Sequence, residues 1–416
     1  MKKKREPKFI VIYEFENFKY CYSEIDDTVA LVEDEDVIDL HSANDPSLRH
    51  GKSRFNLEEV LHFIPPVLDI APLKISKTFT DKDDPYHWQQ PCCTEMKALE
   101  LHESLPIGTN AEKENRVINT YVGISWATFI DKKANLAEVV NVLKLKIESY
   151  KKLAKSIGYT LNVHTVCQSI HWKRFLDYFY QAGITDLHVC HYSDIITKKE
   201  NPYNLRFHGW HIYAVNVEDP ERNEHIQINK PLEEKTLLAS FRGAHMPHYL
   251  SDVRLLLLPA LQKDKIKEDI SIEVTDEWHF NKHVFSQQVK GLDITNNLSD
   301  KDIIIYNELL SNSIFTLCPE GAGINTIRFW EAMAAGSVPV LIISDNHIPM
   351  LYRLHPDLHK CCILVFRDKL LDVFKRLRSI SKEKISEMQH LSRQVYLEIR
   401  DQTTFSNQYN TLFGLY

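Results

Sequence analysis

The chain has 416 residues, 44% of them apolar and 26% charged, with a formal net charge of -7. These proportions suit a globular protein of two or three domains, with a core large enough to need no covalent staples. The acidic balance argues against a general nucleic-acid binder, so no nucleic acid is expected as a partner.

No run approaches the roughly 18 apolar residues of a membrane-crossing helix. The charged segment Met1–Lys8 is followed by a short apolar run, Phe9 to Tyr13, which is too brief for a signal peptide. Two adjacent cysteine pairs, Cys92-Cys93 and Cys361-Cys362, occur without a CxxC repeat. Free thiols in a cytoplasmic protein are the expectation.

Phe9 to Tyr13 reads as a first strand, and Asn17 to Asp39, centred on Glu33–Asp36, as a solvated acidic loop. Leu57 to Leu68 has a helical pattern ended by Pro65-Pro66. Lys77 to Gln90 then gathers carboxylates, imidazole and aromatic rings, among them Asp84, His87 and Trp88. Such a loop can bind a polar ligand or exchange a proton, or it is an ordinary turn-rich loop. Thr120 to Ile130 alternates like a strand, with Trp126 either in a cleft or in the core.

Leu136 to Ile157 is an amphipathic helix. Val139, Val140, Leu143, Ile147 and Tyr150 form its apolar stripe, and Gly158 stops it. A strand at Thr160–Val166, a helix at His171–Ala182 and a strand at Leu187–His191 follow. This alternation predicts a parallel sheet covered by helices. Ligands of such sheets bind beyond the carboxyl ends of the strands, which makes His191 a candidate site residue. His208 and His211 lie in the next aromatic stretch, Tyr203 to Tyr213.

A charged, proline-bearing loop at Glu218–Glu224 suggests a boundary near residue 225, giving domains at 1–225 and 226–384. A final helical segment, 385–416, is expected to cross back to the first domain. The second domain opens with a strand at Leu237–Phe241, a loop at Arg242–His248 and a helix carrying Arg254. A strand at Ile270–Val274 ends near Trp278, which can stack on a nucleobase or pack in the core. The basic helices after Asp368 present either a solvated face or a contact for anionic lipid.

The most informative stretch is Ser313 to Pro349. Ile314–Leu317 forms a short apolar run; Pro319, Gly321 and Gly323 break it. A helical pattern starts at Asn325 and stops at Gly336, and Val338–Ile343 is a second apolar run. This β-α-β unit puts a glycine-bearing loop at a helix N-terminus, where free N–H groups and the helix dipole favour phosphate. Arg328 can add a bidentate charge. Glu331, near it on the helix face, can accept hydrogen bonds from ribose hydroxyls. A helix cap with a surface Arg–Glu pair is the plainer alternative.

Cys318-Pro319, Gly321, Gly323, Asn325, Arg328, Glu331-Ala332, Gly336, Pro339-Val340 and Asp345 resemble the C-terminal signature of exostosin-like glycosyltransferases, family 47. Leu238–Ala244 with Arg254 resembles the strand-loop-helix that opens the donor-binding domain of that family. The resemblance implies an α/β chain of GT-B fold, with two doubly wound Rossmann-like domains facing across a cleft. It implies transfer of a sugar from a nucleoside-diphosphate donor, UDP-sugar favoured and GDP-sugar possible, to a glycan or lipid-linked glycan. Inversion and metal independence are expected, with no cofactor beyond the donor. Arg242, Arg254, Trp278, Pro319, Glu320, Gly321, Gly323, Asn325, Arg328 and Glu331 would hold the donor. Asp84, His87, His191, His208 and His211 stand as alternative bases. An epimerase of the same fold and a non-catalytic nucleotide- or glycan-binding partner remain rival readings.

Overall fold

The computed structural model describes residues 201–275, 300–344 and 354–402, and residues 88–192 apart from 90, 104–110, 113–115, 133–135 and 157. It also describes 9–15, 18–23, 28–33, 67–68, 286 and 290. Near the N-terminus, β1 (Phe9–Phe15), β2 (Phe18–Ser23) and β3 (Thr28–Glu33) form an antiparallel meander. This corrects the expectation of a solvated loop from residue 17 onward. Phe18-Lys-Tyr-Cys-Tyr22 and Thr28-Val-Ala-Leu-Val32 are rich in aromatic and branched residues, which favour extended pairing over the pull of the acids beside them.

A parallel sheet follows, in the order β4 (Val67–Leu68), β6 (Val117–Val122), β7 (Thr160–Cys167), β8 (Asp186–Val189) and β9 (Arg206–Gly209). The two-residue β5 (Ala111–Glu112) pairs antiparallel with β6. The helices of this half include α1 (Thr94–Glu103), α2 (Trp126–Lys132), α3 (Leu136–Ser156) and α4 (Leu176–Ala182). Val139, Val140, Leu143 and Ile147 of α3 pack with Phe129, Val163, Phe179 and Leu187 in one core. Residues 126–130 are helical, not extended as their alternation suggested. Trp126 is a core residue whose indole N–H donates to Thr165 Oγ1 at 2.7 Å. Burial of that ring and a bonded N–H outweigh the β preference of the stretch.

The second parallel sheet contains β10 (Leu237–Ala244), β11 (Ile270–Thr275), β12 (Ser313–Pro319), β13 (Val338–Ile343) and β14 (Ile363–Phe366). Its spatial order is β11-β10-β12-β13-β14. The order of strand addition therefore turns back between β10 and β12, and open sheets of this kind place their ligand crevice beyond the carboxyl ends of the strands at such a point. The helices here are α5 (Val253–Lys263), α6 (Asp300–Asn312), α7 (Ile327–Ala335) and α8 (Lys382–Gln402). Every residue of α7 from Arg328 to Ala335 is buried, so its polar members must serve something inside the protein. Gly336 ends α7 at φ +77°, a left-handed cap that a side chain would strain.

A continuous core joins the two α/β units. Trp210, Ile212, Ala214 and Val217 pack with Phe329 and Trp330 of α7 and with Val395, Tyr396 and Ile399 of α8. Arg400 of α8 pairs with Glu218 at 3.1 Å, and Arg393 donates to Ala334 O at 2.5 Å.

Candidate active site

The reversal point places Arg242-Gly243-Ala244 of β10 beside Pro319-Glu320-Gly321 at the end of β12. Arg254, from the first turn of α5, reaches into this crevice. Its Nε donates to Glu320 O at 3.0 Å, Nη1 to Ala244 O at 2.6 Å and Nη2 to Pro319 O at 3.4 Å. Its guanidinium lies over the Tyr249 ring at 4.7 Å. Arg328 approaches from α7, donates to Arg242 O, and lies over Phe241 at 4.6 Å and Tyr306 at 5.4 Å.

The glycines are there for close approach. A Cβ on Gly321 would sit 2.6 Å from Nη2 of Arg254, and one on Gly243 would sit 3.0 Å from Nη2 of Arg328.

Electrostatically, the crevice is unbalanced. Both arginines are buried. Among the described residues neither has a carboxylate within 4.0 Å. Burial, reinforced by the charge of Arg328, pulls Arg254 down to about 10. Two buried cations near Gly243, neither neutralised by a described carboxylate, favour an anion.

Glu331 lies one turn along α7. Its Oε2 accepts from the Tyr306 hydroxyl at 2.6 Å and its Oε1 from the Asn216 N–H at 3.2 Å. Burial raises its pKa, and those two hydrogen bonds and Arg328 oppose the rise. Glu320 is fully buried; Oε1 accepts from the Ser251 hydroxyl and from the Ser344 N–H at 3.0 Å. Its Oε2 has no partner among the described residues.

The glycine loop also meets the first half of the chain. Asn325 Nδ2 donates to Cys190 O at 2.8 Å, just past β8, and Asn325 Oδ1 accepts from the Trp330 indole at 3.0 Å. The Asn325 N–H points to His191 Nδ1 at 3.4 Å. A side chain at Gly323 would overlap the His191 ring. The carboxyl edge of the first sheet thus abuts the loop of the second.

Residues 201–405 match the model of the exostosin GT47 domain. The C-terminal half is exostosin-like. An exostosin-1 homolog of Caenorhabditis elegans is 28% identical over 192 residues, which is 46% of this chain and 46% of the relative. Exostosin-1b of Danio rerio is 31% identical over 100 residues, 24% of this chain and 12% of the relative. The match therefore spans less than half the length of these relatives. Among solved structures, the pneumococcal O-GlcNAc transferase GtfA, in complex with UDP and GlcNAc, covers 71% of this chain and 57% of its own at 12% identity. Its TM-score of 0.35 is too low to carry that enzyme's chemistry to this protein.

The exostosin-like half thus gathers Arg254, Pro319, Glu320, Gly321, Gly323, Asn325, Arg328 and Glu331 around one crevice. Arg242 contributes only its carbonyl. Its guanidinium pairs with Glu273 at 3.0 Å and Asp302 at 2.8 Å. Trp278, Asp345, Asp84 and His87 lie outside the described residues.

Of the remaining histidines, His191 stands at the crevice, and burial lowers it to about 4. His208 bonds Asp186 Oδ1 at 2.9 Å, in a cluster with the buried His164 and His188 and the exposed Arg206. His211 is buried against Trp330, and burial, with help from Arg400, lowers it to about 4. The arginines of the C-terminal helices are largely spoken for: Arg378 pairs with Asp269, and Arg400 with Glu218.

Three polar residues escaped the sequence reading. Tyr306 and Asn216 grip Glu331 from 25 and 115 positions away. Glu95 accepts from the Ala127 N–H at 3.2 Å and the Gln168 N–H at 2.9 Å, beyond the ends of β6 and β7. Nothing local marks any of the three, because each partner is distant in sequence.

Proposed function

We propose that this protein is a glycosyltransferase that moves a sugar from a nucleoside-diphosphate donor to a glycan acceptor. The observation that carries this is the pair of buried guanidinium groups, Arg254 and Arg328, without a carboxylate partner among the described residues, at the crevice of an exostosin-like sheet. A departing nucleoside diphosphate gains negative charge as the glycosidic bond breaks, and prepositioned cations stabilise that charge most in the transition state. Arg254, anchored to three carbonyls, fixes the loop; Arg328, on the wall of the same crevice, meets the phosphates. Glu331 keeps a spare lone pair on each oxygen, enough to take two ribose hydroxyls.

The donor is a UDP-sugar in preference to a GDP-sugar, and the reaction inverts the anomeric centre without a metal ion. The acceptor hydroxyl gives its proton to a base from the first half of the chain. Asp84, His87 and His191 are the candidates; His208 is committed to Asp186, and His211 is packed behind Trp330.

Arg328→Ala tests the assignment. Loss of one charge-stabilising donor should lower kcat roughly 100- to 1000-fold with a folded protein retained. A near-normal rate removes Arg328 from the mechanism.

A further inference from the structure

Tyr306 touches both halves of this crevice, and nothing in its own helix marks it out. Its hydroxyl donates to Glu331 Oε2 at 2.6 Å, while its ring lies 5.4 Å from the Arg328 guanidinium. It also lines, with Arg328, Phe241 and Thr316, a small cavity of about 10 Å³, room for one water at most. The 2.6 Å contact falls in the range of charge-assisted O–H···O⁻ bonds. Burial, reinforced by the Glu331 charge, raises the phenol well above its ordinary pKa, so it remains a donor at any working pH.

We propose that Tyr306 is the positioning residue of the donor site. Its O–H fixes the Glu331 carboxylate for the ribose, and its ring separately seats Arg328 for the diphosphate. The proposal rests on the donor-site reading above and assigns one side chain two separable tasks.

The separation follows from the chemistry. A carboxylate on a helix can rotate about its last torsion unless an oxygen is held. The Asn216 N–H holds Oε1 and the phenol holds Oε2, so the plane of the carboxylate is set by two points, each using one lone pair of its oxygen. Removing the hydroxyl frees that plane and leaves Oε2 short of a donor. It does not alter the face that Arg328 lies against. Tyr306→Phe therefore disturbs recognition of the nucleoside and spares recognition of the phosphates. Tyr306→Leu disturbs both.

The test is calorimetric titration of the full-length protein with UDP, GDP and inorganic pyrophosphate in parallel. Tyr306→Phe should weaken the nucleoside diphosphate that the unaltered protein prefers by about tenfold, the scale of one hydrogen bond to a charged group. Pyrophosphate affinity should change less than twofold. Because both ligands are read on the same sample, a loss of folded fraction lowers the stoichiometry and leaves the ratio of affinities intact. Tyr306→Leu should weaken both ligands and serves if the phenylalanine variant does not fold.

Equal affinities for the nucleoside diphosphate in Tyr306→Phe and unaltered protein overturn the Tyr306 role alone. So does an equal loss for both ligands in Tyr306→Phe, or unchanged binding of either by Tyr306→Leu. If the unaltered protein binds neither UDP nor GDP, the donor-site reading falls, and the role of Tyr306 falls with it.

Discussion

Adding one methyl group at Gly321 probes the anchoring of Arg254. The Cβ of Gly321→Ala would lie 2.6 Å from Nη2 and 3.3 Å from Cζ of Arg254. Ordinary contact begins at 3.4 Å, so Nη2 must withdraw by about 0.8 Å (3.4 − 2.6). The backbone at Gly321 does not need a positive φ, so sterics alone set the cost.

An arginine end is usually free to give way, but this one is pinned by three carbonyls. The Nη2 bond to Pro319 O, already 3.4 Å, cannot survive the shift, and the 3.0 Å bond from Nε to Glu320 O stretches. Losing one to two charged hydrogen bonds costs about 2–4 kcal/mol. The lower chain entropy of alanine in the unfolded state returns about 0.4–1 kcal/mol. A net loss of about 1–3.6 kcal/mol should appear in urea denaturation of Gly321→Ala.

In an Arg254→Lys background, which lacks the forked end, the same methyl should cost much less. The double-mutant cycle should give a coupling of about 1–2 kcal/mol. Additive losses, within about 0.5 kcal/mol, would refute the clash and with it the pinned arrangement of Arg254.

Stability should depend on pH from two sides. Burial lowers His102 and His164 to about 3 and His191 and His211 to about 4, so the unfolded chain binds more protons below its ordinary histidine pKa near 6.5. Stability should therefore fall as pH drops from about 6.5 towards 4. Glu95 acts in the other direction: burial raises it to about 8, so the folded chain holds a proton that the unfolded carboxylate has released. Its contribution should be lost as pH rises from about 4.5 to 8, at up to about 1.4 kcal/mol per pH unit. Glu95→Gln should flatten that alkaline limb of the curve of urea midpoint against pH, and an unchanged limb would remove Glu95 as its source. Transfer activity should be insensitive to EDTA, since the arginines supply the positive charge; restoration of a lost rate by added Mg²⁺ or Mn²⁺ would contradict that.

The glycine loop between β12 and α7 was legible because its signals are local. Pro319, Gly321 and Gly323 break the chain between apolar runs, and Gly336 marks the helix end that the structure realises at φ +77°. The reversal of strand order was not legible, because β11 follows β10 in sequence and only pairing places it on the outer side. The meander at β1–β3 was hidden by the charge of Glu33–Asp36, which belongs to its end and beyond. Residues 126–130 alternate like a strand, yet the carboxylate of Glu95 meets the N–H of Ala127 in the first turn of α2, a contact over 32 positions. The cluster around Asp186 depends on parallel register, which sets His188 opposite His208 and Asp186 opposite Arg206. Arg242 shows the converse: it is in the motif, but Glu273 and Asp302 draw its side chain elsewhere.

The place of β9 has a practical corollary for anyone dissecting the molecule. The exostosin-like region begins at residue 201, yet Arg206–Gly209 pairs with β8 and completes the sheet of the preceding half. The stretch that resembles exostosins and the unit of folding are therefore not the same stretch of chain. A fragment cut at residue 201 would carry away a strand with no sheet and leave β8 behind as a raw edge, and unpaired edges of this kind recruit strands from other molecules. Sequence resemblance, here, is not a guide to where the scissors should go.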